Sequence, residues 1–143
     1  MQTNRNNNML TVVLDKGEPV VASLVSACKE QGVRAGSLTG LGAVNSAEIA
    51  YYDLSKKEYL NKHFEGDREV VSLVGNVAVV DDEPFLHVHI ALGDREMQIV
   101  GGHLVEATVA VTLEVSIQII PDTTSERTLD DSIGLKLLQL PKE

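Results

Sequence analysis

Three of the four histidines in this 143-residue chain lie close together, two in Phe85-Leu86-His87-Val88-His89-Ile90 and one directly after Gly101-Gly102. Side chains of an extended strand alternate between faces, so His87 and His89 project to one side while Val88 and Ile90 point into a core. Two imidazoles at that spacing can share one metal ion. The glycine pair before His103 supplies a backbone able to bend tightly and return a third imidazole to the same place. Three imidazoles with water in the open fourth position form the donor set of a catalytic zinc centre, with metal–nitrogen distances of ~2.0–2.1 Å. Imidazole also suits Cu, Fe and Ni, so the expected cofactor is a divalent metal with zinc first. Glu106, three residues past His103, is the candidate catalytic carboxylate, placed to orient an imidazole or move a proton.

The competing reading of the same residues is three half-buried sheet histidines hydrogen-bonded to their neighbours. His63, between Lys62 and Phe64, is expected at the surface without a partner. Cys28 is the only cysteine and excludes an intramolecular disulfide. No Ser-His-Asp order or Cys–His pairing offers a nucleophile.

The elements that must carry these residues read as one α+β domain, a mostly antiparallel β-sheet core with one main helix. Met1–Met9 is rich in Asn and is expected to be a disordered tail ahead of a single domain over 10–143. Leu10–Leu14 reads as a strand. Over Glu18–Gln31 the apolar residues Val20, Val21, Leu24, Val25, Ala27 and Cys28 recur at helical spacing, with Pro19 in the first turn and Gly32 as the cap. The glycine-punctuated stretch Val33–Asn45 lacks the third glycine and following helix of a dinucleotide site, so its glycines serve bends or close approach in β structure. Ala47–Tyr52 and Glu58–Phe64 form a hairpin across Asp53–Lys57, and Glu69–Val80 is a strand with a bulge expected at Gly75. Phe85–Leu92 follows. In Ala107–Ile120 every odd position from Val109 to Ile119 is apolar, which predicts one buried face. Asp122–Asp131 reads as polar connection, and Ile133, Leu135, Leu137, Leu138 and Leu140 as a last strand closing a sheet edge.

A net charge of −9 and a pI near 4.8 oppose autonomous binding to nucleic acid, whose affinity rests on neutralising phosphates. No stretch approaches the ~20 apolar residues that span a bilayer, and the N-terminus lacks a signal-peptide core; the expected compartment is the cytoplasm.

Beyond these readings, the chain resembles the plants-and-prokaryotes-conserved (PPC) domain in its stand-alone prokaryotic form. The resemblance is carried by Arg34–Ala43, by Glu69–Asn76, and most specifically by Pro84-Phe85-Leu86-His87-Val88-His89 together with Val100-Gly101-Gly102-His103-Leu104. It implies a compact α+β fold, a homotrimer, and a metal, usually zinc, held by His87, His89 and His103. It also implies DNA binding by analogy, since plant members carry AT-hook segments whose Arg-Gly-Arg-Pro core enters the minor groove. That motif is absent from this sequence.

Overall fold

The computed structural model describes residues 1–139. In chain order the elements are β1 (Gln2–Asn6), β2 (Met9–Asp15), α1 (Val20–Glu30), β3 (Gly36–Asp53), β4 (Glu58–Val80), β5 (Glu83–Gly93), β6 (Ile99–Ile119), β7 (Glu126–Asp130) and β8 (Leu135–Gln139). The described residues are thus mostly β-sheet with one helix, as the pattern predicts. Strands β3, β4, β5 and β6 close a ring, because β3 and β5 each pair antiparallel with both β4 and β6. β2 extends the sheet from β6, and β1 from β2. The core lies along β2, α1 and the inner faces of the ring, with Leu14, Leu24, Leu73, Leu92, Leu113 and Ile117 among its fully buried side chains.

The helix begins at Val20, later than its apolar period suggests. Pro19 is extended (φ −72°, ψ 133°) and occupies the cap position instead of the first turn. Its C-terminus follows the expected glycine rule: Gly32 takes φ +64°, Val33 N–H donates to Cys28 O at 2.9 Å, and Gly32 N–H donates to Lys29 O at 3.2 Å. Cys28 is buried, and that burial pushes its thiol up to about 12, leaving an inert core residue.

Residues 1–9 are no disordered tail: Gln2–Asn6 forms β1, paired residue by residue with β2 from Met9 to Val13, because backbone hydrogen bonds suffice for a polar strand on an open edge. Gly75 makes no bulge; it pairs in register with both Leu38 and Val88, and its missing side chain leaves room for the His87 carbonyl. The register shifts along β4 lie opposite Gly40/Gly42 and Val44/Ser46 of β3 and at Val70/Ser72 against β5. Val111 breaks the alternation of β6. Gly42 opposes Leu113 while Val44 opposes Val109, so the extra β6 residues rotate Val111 outward to 70% exposure. The polar stretch Asp122–Asp131 contains strand β7, which bridges to Val79 of β4 in parallel and forms a hairpin with β8. The predicted last strand is β8, and Leu140 lies outside the described residues. Among the described residues, no helix is long and apolar enough to cross a membrane.

Candidate metal centre

The alternation of β5 does what its sequence predicts. Leu86, Val88 and Ile90 are buried in the core, and His87 and His89 emerge on the opposite face. His103 reaches them differently from the expected bend. β6 runs straight through Gly101-Gly102, neither of which has a positive φ, and His103 stands directly across from His89 in the antiparallel register. The glycines thin the strand. A Cβ on Gly101 would lie 2.6 Å from Ile90 O, and one on Gly102 2.9 Å from Ala50 O, so β6 fits between β5 and β3 only without side chains there. One imidazole nitrogen from each of His87, His89 and His103 lies within 4.8 Å of the others. Ring centroids are 5.1 Å apart for His87–His89, 5.2 Å for His87–His103 and 5.7 Å for His89–His103.

A pocket of about 350 Å³ opens beside this cluster, between the ring and the β7–β8 hairpin, and His87 and His103 form part of its wall. Tyr59 stacks on His103 with ring centroids 5.3 Å apart. Arg127 reaches in from β7: Nη2 donates to Asn76 Oδ1 at 2.8 Å, Nη1 donates to Lys136 O at 3.1 Å, and Nη2 lies 3.2 Å from His87 Nδ1. The hairpin is held down at its turn, where Tyr52 Oη donates to Ile133 O at 2.6 Å and Lys57 Nζ donates to Asp131 O at 3.0 Å.

Glu106 belongs elsewhere. Its Oε1 accepts from Val21 N–H at 2.7 Å and Ala107 N–H at 2.9 Å, and its Oε2 accepts from Ala22 N–H at 3.1 Å. The first turn of α1 has no side-chain cap of its own, and its free N–H groups with the positive end of the helix dipole attract this carboxylate from the neighbouring strand. Glu106→Gln is therefore expected to lower stability by about 1 kcal/mol, read by denaturant melts, with the metal content unchanged. His63 also departs from expectation: it is exposed, but its Nε2 sits 2.6 Å from Glu65 Oε1.

The model of the Plants and Prokaryotes Conserved (PCC) domain matches residues 1–121 of this chain. The chain belongs to that family. It is similar to a metal-containing protein from Archaeoglobus fulgidus, with 34% identity over 97% of this chain and 96% of that one and a TM-score of 0.87. It is also similar to a plant- and prokaryote-conserved protein from Pyrococcus horikoshii, at 32% identity over 99% and 96% of the two chains, TM-score 0.87. A candidate DNA-binding protein from Bacteroides thetaiotaomicron shares 25% identity over 96% of each chain, with a TM-score of 0.93. No curated protein matches the chain.

Within this PCC domain His87 and His103 are held toward their neutral form. Burial, then the Arg127 guanidinium, then His103 and His89, hold His87 down at about 4 against an ordinary value of 6.5. Burial, then His89 and Arg127, lower His103 as well. The guanidinium has no acceptor, so its approach to His87 Nδ1 is favourable only while that nitrogen is unprotonated. Between about 6.5 and about 4 the unfolded chain binds a proton at His87 that the folded chain refuses, so stability falls as pH drops through this window. The metal-free protein is expected to melt at a lower temperature at pH 5 than at pH 7, with a shallower dependence in His87→Asn; calorimetry at the two pH values checks it.

Two residues beside the cluster carry no sign of that position in the sequence: Tyr59, and Arg127, which lies beyond the residues 1–121 that the family model matches. The pattern around Tyr59 marks only a hairpin strand. The one trace of β7 in the sequence is the position of Leu129 two residues after Arg127, which puts both on one face of a short strand.

Proposed function

We propose that this PCC-domain protein holds one divalent metal ion, zinc, on His87, His89 and His103, with the open side of the site turned toward the adjoining pocket, and that it acts on a small molecule there. The observation that carries this reading is the convergence of three imidazole nitrogens within 4.8 Å from two neighbouring strands. The chemistry of the donor set fits. The neutral form of His87 and His103 is favoured, and His103 Nδ1 is buried without a hydrogen-bond partner, a cost that ligation would remove. The archaeal relative described as metal-containing supports the same reading at 34% identity. Zinc bound there would supply Lewis acidity to an oxygen of a ligand, which suits a metal-dependent hydrolase class of chemistry. Around it, Tyr59 and Arg127 would position the ligand, and Phe85 and Leu129 would exclude water from the pocket wall. Elemental analysis of protein purified without a metal-affinity tag tests this: about one zinc per chain is expected for a three-histidine site, and metal-free protein from zinc-supplemented growth would end the reading.

Binding to DNA is the second reading, brought by the candidate DNA-binding relative from Bacteroides thetaiotaomicron. The net charge of −9 places it below the metal reading, since phosphate contacts need a basic surface.

We further propose a homotrimer. Exposed apolar side chains support it: Val71 and Ile99 flank Gly93, and Gly93 lines a surface depression with Met97 and Val111, which are 85% and 70% exposed, beside the charged residues Asp67, Arg68, Glu69, Asp94 and Arg95. Exposed apolar side chains rimmed by charged ones are a normal mark of a subunit contact. Light scattering is expected to give three times the chain mass, and Val111→Lys to reduce it.

A further inference from the structure

We infer that the pocket beside the histidine cluster binds a small monocarboxylate carrying a short apolar chain, with Arg127 recognising its charge. This builds on the reading of His87, His89 and His103 as a metal site, because His87 and His103 line the same pocket as Arg127. The chain carries 21 acidic and 12 basic residues, yet among the described residues no aspartate or glutamate lines this pocket, while Arg127 and Lys136 both do. In an acidic protein a carboxylate-free cationic pocket focuses a positive field on whatever enters. Lys136 has its own counter-charge, with Nζ 3.5 Å from Asp81 Oδ2. Arg127 has none. Its hydrogen-bond partners are Lys136 O, Asn76 Oδ1 and His87 Nδ1, all neutral, and its Nε is buried with no partner. A part-buried guanidinium without an anion is an uncompensated charge, and a carboxylate in the pocket would supply the missing half of the pair. The remaining walls set the rest of the ligand. Phe85, Leu129, Leu135 and Leu137 are apolar, and about 350 Å³ admits a small molecule. One unpaired cation facing apolar walls selects a single negative charge on an apolar body over phosphate, which demands several donors.

The test titrates butyrate, butyramide and inorganic phosphate into metal-stripped and zinc-loaded protein, following chemical shifts of Leu135 and Leu137 methyls. Butyrate is expected to bind both forms, with butyramide weaker by about tenfold or more, as loss of a charge-assisted pair predicts. Arg127→Gln is expected to weaken butyrate by a similar factor, and Arg127→Lys to restore part of it. Equal binding of butyrate and butyramide, a preference for phosphate, or unchanged butyrate affinity in a folded Arg127→Gln protein would each overturn the inference. Should Arg127→Gln not fold, the butyrate–butyramide contrast in the wild type decides. The metal-stripped arm separates the two readings: a chain that takes no zinc but still prefers butyrate keeps this pocket assignment and loses only the metal.

Discussion

His103→Ala is expected to leave a folded protein that retains almost no zinc through dialysis, against about one per chain in the wild type. The geometry places His103 opposite His89 and within ligand reach of both other imidazoles, so its removal leaves two donors from the single strand β5. Loss of an outer hydrogen-bond partner of a metal ligand already weakens metal binding by ~10–100-fold, and loss of the ligand itself should exceed that. The fold should survive. His103 is only partly buried, and the change costs stacking against Tyr59 while relieving the unsatisfied Nδ1. His63→Ala is the matched control, because His63 sits exposed beside Glu65 and is not among the converging imidazoles. Zinc retained equally by His103→Ala and wild type would show that these rings are sheet residues that happen to face one another.

How much of this centre the sequence discloses depends on which forces act locally. The alternation Leu86, His87, Val88, His89, Ile90 is decided within one strand by burial of the aliphatic residues, so the pairing of His87 with His89 is legible from five residues. That His103 joins them is legible from proximity, but its cause is not. Gly101 and Gly102 look like a bend until the neighbouring backbones of β5 and β3 are known, and only then does close packing emerge as their purpose. Glu106 fails for a related reason. Three residues from His103 is near in sequence, yet β6 is irregular between Leu104 and Glu106 opposite Ile49 and Glu48, and the carboxylate serves the start of α1. Arg127 is the most distant case. It belongs to a polar strand of five residues joined to the sheet at Val79, and nothing within Glu126–Asp130 announces a long-range contact with His87. Chemistry fixed by local alternation can be read in advance; chemistry fixed by which strands adjoin cannot.

The position of Gly75 turns the same lesson into a large expected effect. It lies in the middle of β4, paired on one side with Leu38 of β3 and on the other with Val88 of β5. A Cβ there would stand 2.3 Å from His87 O and 3.0 Å from Val88 Cα. Both atoms are backbone, so neither can turn aside as a flexible side chain would. Relief must come from moving β5 away from β4, which carries the His87 backbone with it. Gly75→Ala is therefore expected to cost about 3 kcal/mol of stability, near the upper end for overpacking a well-filled site. Where the protein still folds, zinc affinity should fall by about tenfold or more, because a displaced ligand loses metal much as a loosened supporting shell does. Gly66→Ala separates this from generic glycine loss: beyond its chain neighbours no described atom would lie within 4 Å of a Cβ there, and its φ of +92° strains only the local backbone. Denaturant melts and zinc titrations on the two variants are expected to show stability reduced in both and zinc affinity reduced only at Gly75. Equal zinc affinity in Gly75→Ala and wild type would mean that β5 can shift without moving the histidines, and the spacing of β4 and β5 would then have no part in forming the centre.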